Sequence, residues 1–183
     1  QPDKKKFDDF RDYVMLMILC DCGLRLSELL NLKQQDIDWD MGTLKVLGKG
    51  NKERLVPIGK ATIKALKKYL IWRGELPEVE LVFVNLCGRK LDTRRFQRRL
   101  SVFGESAELG HVHPHLLRHS FAKNYIIHGG DPFSLQMILG HTTLTMVKNY
   151  VNLAQQEVSF QYNKHSVIDN LKINSSGSIK RLY

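Results

Sequence analysis

Apolar positions along the chain recur mostly at helical spacing. From Asp9 to Cys22 they fall at Phe10, Tyr13, Val14, Met17 and Ile18, the period of a mostly buried helix. Gly23 is placed to end that helix, because glycine tolerates the left-handed conformation common just past a helix C-terminus. Ser27-Glu28-Leu29-Leu30 opens a second, shorter helix. Thr43 to Leu47 and Arg54 to Ile58 read as short strands. The turn formers between them, Gly48-Lys49-Gly50-Asn51-Lys52-Glu53, predict a β-hairpin. Helical period returns from Ala61 to Trp72, and Leu81 to Val84 reads as a brief extended piece. Asp92 to Phe103 predicts a two-faced helix, with Phe96, Leu100 and Phe103 on one side and Arg94, Arg95, Arg98 and Arg99 on another. Further helices are predicted over His115 to His128, Pro132 to Leu139, Thr143 to Tyr150 and Ala154 to Leu171, before a flexible tail at Asn174-Ser175-Ser176-Gly177-Ser178. The fold class is therefore α+β, mainly α-helical with a small antiparallel β-sheet. No internal repeat is visible.

Length and composition bound this picture without changing it. The 183 residues suit one well-cored domain, and 43% hydrophobic with 26% charged residues is ordinary for a globular protein. The longest apolar run, Tyr13 to Cys20, stops at Asp21 and falls short of the roughly 20 residues a membrane helix needs. The first residues lead into an acidic run, not the apolar core of a signal peptide. Three cysteines, two of them the closely spaced Cys20 and Cys22, suit a reducing cytoplasm. Charge does change the picture. Twenty-eight Lys and Arg against nineteen Asp and Glu leave a net +9, a common footprint of nucleic-acid binding.

Five places along the chain offer groups suited to phosphate chemistry. Gly23-Leu24-Arg25-Leu26-Ser27-Glu28 puts an arginine at a glycine-primed helix start. Lys49 lies at the hairpin tip. In His113-Pro114-His115-Leu116-Leu117-Arg118-His119, His115 and Arg118 are three apart and share a helix face. His141 follows the helix-ending Gly140, and Tyr150 comes nine residues later. Phosphodiester transfer without a metal needs a nucleophile, its base, an acid for the leaving oxygen and cations for the phosphorane. Arg25 and Arg118 are the cations, since a guanidinium fork can donate to two phosphate oxygens at once. Tyrosine, with an unperturbed pKa of about 10, is a poor nucleophile unless so assisted.

These motifs, in this order from about Tyr13 to Leu153, resemble the tyrosine recombinases, in particular the Xer-type chromosome-dimer resolvases and the integrases of phages and mobile elements. The resemblance implies the tyrosine recombinase catalytic-domain fold and a site-specific recombinase working through a 3′-phosphotyrosine, with neither metal nor ATP. It implies that Arg25 and Arg118 clamp the scissile phosphate, Lys49 is the general acid and His115 assists as base. His141 would bond a phosphate oxygen, Glu28 would buttress the site and Tyr150 would attack. It further implies double-stranded DNA as partner, a homotetramer on two duplexes and a bacterial, nucleoid-associated location. A helical core-binding domain is expected ahead of this one, with residues 1–8 as linker, 9–153 as catalytic core and 154–183 as C-terminal helix and tail. Val158, Phe160, Ile168 and Leu171 are candidates for docking on a neighbouring protomer.

Each assignment has a plainer rival. Lys49 competes with Lys52, which with Arg54 is otherwise expected to contact DNA backbone. Arg94, Arg95, Arg98 and Arg99 are either a solvated face or a set of phosphate contacts. A metal reading of His113, His115 and His119 fails for want of a completing cysteine or carboxylate and because Pro114 biases His113 away from helix. His119 is expected to be structural, capped by backbone or a carboxylate. Tyr150 alone reads as an ordinary half-buried tyrosine. Two whole-protein alternatives stand: a type IB topoisomerase and a non-catalytic DNA-binding relic.

Overall fold

The computed structural model describes residues 4–48, 50, 52–74, 79–140, 143 and 145–166, apart from the side chains at 4, 146, 157 and 161. Helix α1 spans Lys4–Cys22, five residues longer at its start than the apolar period predicts. The segment holds no proline or glycine to stop it, and Phe7 is fully buried with its ring 5.8 Å from that of Tyr69. Packing thus draws the first turn out of the expected linker. Gly23 follows at φ +60°, and a Cβ there would lie 2.3 Å from the Phe121 ring, so glycine is needed for both conformation and space.

The short helix α2 (Leu26–Leu30) leads through a 3₁₀ turn at Gln34–Asp36 into a three-stranded antiparallel sheet: β1 (Ile37–Asp38), β2 (Thr43–Leu47) and β3 (Glu53–Pro57), in that order. The predicted hairpin is β2–β3, with Leu44 opposite Val56 and Val46 opposite Arg54. β1, only two residues long, is too short to show a period in the sequence. Helix α3 (Lys60–Arg73) packs on α1. The extended piece at Leu81–Val84 contributes two isolated bridges, Lys33 to Leu81 and Val84 to Lys90. α4 (Thr93–Ser106) is capped by Asp92, whose side chain accepts from the Arg95 N–H.

Helix α5 (Pro114–Ile127) starts with proline in its first position and His113 as an extended N-cap, as the proline requires. α6 (Pro132–Leu139) ends at left-handed Gly140 (φ +66°). The largest departure from expectation is α7, a single helix over Thr145–His165 where the sequence pattern predicts two. Val151-Asn152-Leu153 contains nothing that breaks a helix, so Tyr150 sits near the start of a long helix and not at the end of a short one. Among the described residues no helix is long and apolar enough to cross a membrane.

Most buried apolar side chains, among them Val14, Ile18, Leu29, Leu44, Val56, Leu66 and Phe83, form one core under α1, the sheet and α3. A smaller cluster joins α5, α6 and α7 through Ala122, Leu135, Leu139, Val147 and Tyr150. The candidate site lies where the two meet.

Candidate active site

Arg25 stands at the N-cap of α2, extended at φ −72° and ψ 148°. Glu28, three residues on, accepts from the Arg25 backbone N–H at 2.8 Å, the reciprocal half of a capping box. The same carboxylate accepts from Arg25 Nη1 at 2.9 Å and, on both oxygens, from Arg54 Nη1 and Nη2 at 2.9 and 2.8 Å. Burial alone would raise the Glu28 pKa, but the hydrogen bonds and charge of Arg54 and Arg25 outweigh it and hold it below the usual carboxylate value. Only 4% of the Glu28 side chain is exposed, against 36% for Arg25. Glu28 is therefore the inner hinge and Arg25 the outer, ligand-accessible group.

Arg54 arrives from β3 and also donates Nε to Ile138 O at 2.7 Å. Its side chain is only 11% exposed. The expectation that it touches DNA gives way here: its guanidinium is spent on Glu28 and on the end of α6, so it braces the site from within. Gly140 keeps room for it, since a Cβ there would meet Arg54 Cδ at 3.0 Å.

Arg118, buried on α5, donates Nη1 to Gly23 O at 2.6 Å and Nη2 to Leu139 O at 2.7 Å. It thus binds the carbonyl-rich C-terminal ends of α1 and α6, where a cation is favoured. Burial first, and the positive charge of nearby Arg25 next, push its pKa down to about 10. It remains a guanidinium at neutral pH, but a poorly solvated one, and an anion beside it would relieve that cost.

Tyr150 is 5% exposed, its ring within the α5–α6–α7 cluster. The plain reading of a packed tyrosine holds for the ring and fails for the hydroxyl, which lies 2.8 Å from His119 Nδ1. Burial raises the Tyr150 pKa, and the Arg118 charge lowers it in part. Neither backbone nor a carboxylate holds His119 Nδ1, as its sequence context suggests; its partner is the tyrosine. The reason is register: α5 and α7 pack side by side, placing His119 opposite Tyr150 across 31 residues of sequence. His115, one turn earlier, is exposed and not bonded to Tyr150. Lys49 and His141 lie outside the described residues.

A model of the phage integrase family matches residues 2–157. The chain belongs to that family, the tyrosine recombinases. Among its relatives, tyrosine recombinase XerC of Shewanella sp. (strain W3-18-1) is 40% identical over 154 residues, which cover 83% of this chain and 51% of the relative. Tyrosine recombinase XerD of Proteus mirabilis is 36% identical over 165 residues, covering 86% and 52%. The chain spans about half the length of these curated relatives. Among solved structures, XerA recombinase superposes with TM-score 0.76 at 31% identity, covering 91% of this chain and 64% of that one. XerH bound to its palindromic difH substrate, a post-cleavage complex, also gives 0.76, at 27% identity, covering 91% and 50%.

The tyrosine recombinase fold thus brings Arg25, Glu28, Arg118 and Tyr150 to one place, with Arg54 and His119 as the additions. The arginines of α4 divide. Arg99 is bound by Asp9 at 2.8 Å and by Asp12, and Arg95 lies 3.8 Å from Asp8, so both lean onto α1. Arg94 and Arg98, four apart, form a separate exposed stripe. Lys52, beside the hairpin tip, is exposed. An apolar period marks a helix face but does not show which basic stripe an acidic neighbour will claim.

Proposed function

We propose that this chain is the catalytic domain of a site-specific DNA recombinase that cuts and rejoins strands through a covalent 3′-phosphotyrosine at Tyr150. One observation carries the reading: a tyrosine hydroxyl held against a histidine, within reach of the charge of a buried arginine, beside a cluster with more cations than carboxylates among the described residues. Arg25 and Arg118 bind the non-bridging oxygens of the scissile phosphate, Arg25 aligned by Glu28 and Arg118 anchored by two backbone carbonyls. Lys49 protonates the departing 5′ oxygen, with His115 assisting proton transfer and His141 bonding a phosphate oxygen. The ester energy is conserved in the phosphotyrosine, so a partner strand's 5′ hydroxyl reverses the step with neither metal nor ATP.

Double-stranded DNA is the substrate, a reading supported by the net charge and by the XerH complex with difH. Lys52, Arg94 and Arg98 are the phosphate contacts that remain outward-facing; Arg54, Arg95 and Arg99 serve the scaffold. On two duplexes the protein works as a tetramer, through the C-terminal segment. Val158 and Phe160 are 60% and 65% exposed on the far half of α7, which supports this; Ile168 and Leu171 lie outside the described residues. Deleting residues beyond Asn152 then abolishes cooperative assembly on paired sites; assembly that persists would refute this. The bacterial sources of the relatives support a cytoplasmic, nucleoid-associated place of action.

The function is tested with a duplex selected by the protein from a randomised pool, then nicked so that cleavage cannot reverse. An adduct that survives denaturing electrophoresis is expected, and Tyr150→Phe removes it. No adduct with the unaltered chain, or an adduct that Tyr150→Phe retains, refutes the reading. Relaxation of arbitrary supercoiled plasmid would indicate a topoisomerase instead.

A further inference from the structure

The Tyr150 side chain is packed with its hydroxyl only partly buried, and the phenolic proton has to leave before or as the oxygen attacks phosphorus. His119 Nδ1 is 2.8 Å away, within the range for direct transfer. The rings lie 5.6 Å apart between centroids at 51°, so the contact is edge-on through the nitrogen and not a stack. With the imidazole neutral and its proton on Nε2, Nδ1 offers its lone pair to the phenol. His119 is otherwise exposed, so a proton received there has a path to solvent. Arg118, the residue before it, lies close enough to stabilise the phenolate that forms. His115 makes no such contact.

We propose that His119 is a catalytic residue: its Nδ1 takes the phenolic proton of Tyr150 as the oxygen attacks. The proton passes from Tyr150 to Nδ1, the tyrosine oxygen bonds to phosphorus, the bond from phosphorus to the 5′ oxygen breaks, and that oxygen takes a proton from the general acid. In the return step His119 gives the proton back to the departing tyrosine. The proposal rests on Tyr150 being the nucleophile, and it shifts the acceptor from His115 to the histidine at the end of the same motif, which the sequence suggests is structural.

The test is the rate of single-turnover adduct formation on the nicked duplex. His119→Ala slows it by about 100-fold or more, the usual contribution of a positioned base, while duplex affinity is unchanged. His119→Asn, which places an accepting oxygen near Nδ1 but cannot carry the proton away, stays slow. Fluorotyrosine at 150, a more acidic phenol, restores much of the rate in His119→Ala. A duplex with sulfur at the 5′ bridging position, which needs no acid for departure, does not. A wild-type rate in His119→Ala overturns the proposal, as does full rescue by His119→Asn, which would leave His119 a positioning residue. Should His119→Ala not fold, the slow rate of His119→Asn and its rescue by fluorotyrosine carry the test. No adduct with the unaltered chain refutes the nucleophile reading itself; an adduct indifferent to His119 refutes only this proposal.

Discussion

Two clusters of arginine and carboxylate side chains sit in this domain, and they differ in how their charges balance. Between α1 and α4, Arg11, Arg95 and Arg99 meet Asp8, Asp9 and Asp12. At the candidate site, Arg25, Arg54 and Arg118 surround Glu28 among the described residues. The first cluster is self-neutralised and ties the long N-terminal helix to α4. Among the described residues the second gathers three guanidinium groups about one carboxylate in a partly desolvated place, which favours an anion there. Buried ion pairs are weak evidence for stability or for function; the excess of arginine over carboxylate among the described residues is what marks the second cluster as a candidate site.

Removing Arg118 should show the contrast most strongly. Arg118→Ala is expected to slow adduct formation by at least about 100-fold, as loss of an oxyanion donor does. Because the Gly23 and Leu139 carbonyls lose their donor, it also costs on the order of 1–3 kcal/mol in denaturant unfolding. An undiminished cleavage rate would break the comparison. Arg99→Met, in the balanced cluster, should do the reverse. It leaves cleavage intact and costs about 1.5–3 kcal/mol, because Asp12, 1% exposed, keeps Arg11 as its one ion-pair partner among the described residues. Impaired cleavage in a fully folded Arg99→Met protein would contradict its scaffold role.

Glu28 sharpens the comparison through pH. Its folded pKa is depressed below 4.5, so the stability it contributes is present above that value and is lost as pH falls through the folded pKa. Melting temperatures measured from about pH 6 down to about pH 3 should fall more steeply for the native chain than for Glu28→Gln, which has no proton to bind. Parallel curves would show that the carboxylate is not held as described. The smallest effect belongs to the outward stripe. Arg94→Gln with Arg98→Gln should weaken binding to all sequences alike and reduce the salt slope by about 0.9 for each phosphate no longer neutralised. An unchanged slope would make that stripe a merely solvated face.

Much of the site is legible in the sequence. Arg25, Glu28 and Arg118 are marked by local spacing, and the fold brings Arg118 near the other two. Glu28 three residues from Arg25 makes a capping contact from helix geometry alone. The hairpin, α6 and the helix-ending glycines also follow from neighbours in sequence. Harder to see are α1 beginning at Lys4, which depends on Phe7 meeting Tyr69, and α7 running unbroken past Tyr150. Arg54 and His119 escape a sequence reading for the same reason. Local context suggests DNA for one and a backbone or carboxylate partner for the other, while the true partner of each lies far along the chain.

The sequence by itself determined the family, the order of the motifs and the residue types that phosphate chemistry requires. Those are properties of composition and short-range spacing, which a helix or turn translates directly into shared faces. Only the tertiary structure decided that Arg54 turns inward to Glu28 and Ile138, 84 residues away, and that His119 meets Tyr150 across 31. Such pairings arise where packed helices and strands align their faces, and that alignment follows from burying the apolar clusters together. A buried polar group must then find a partner among whatever the packing brings near, and so the Tyr150 hydroxyl came to rest on His119.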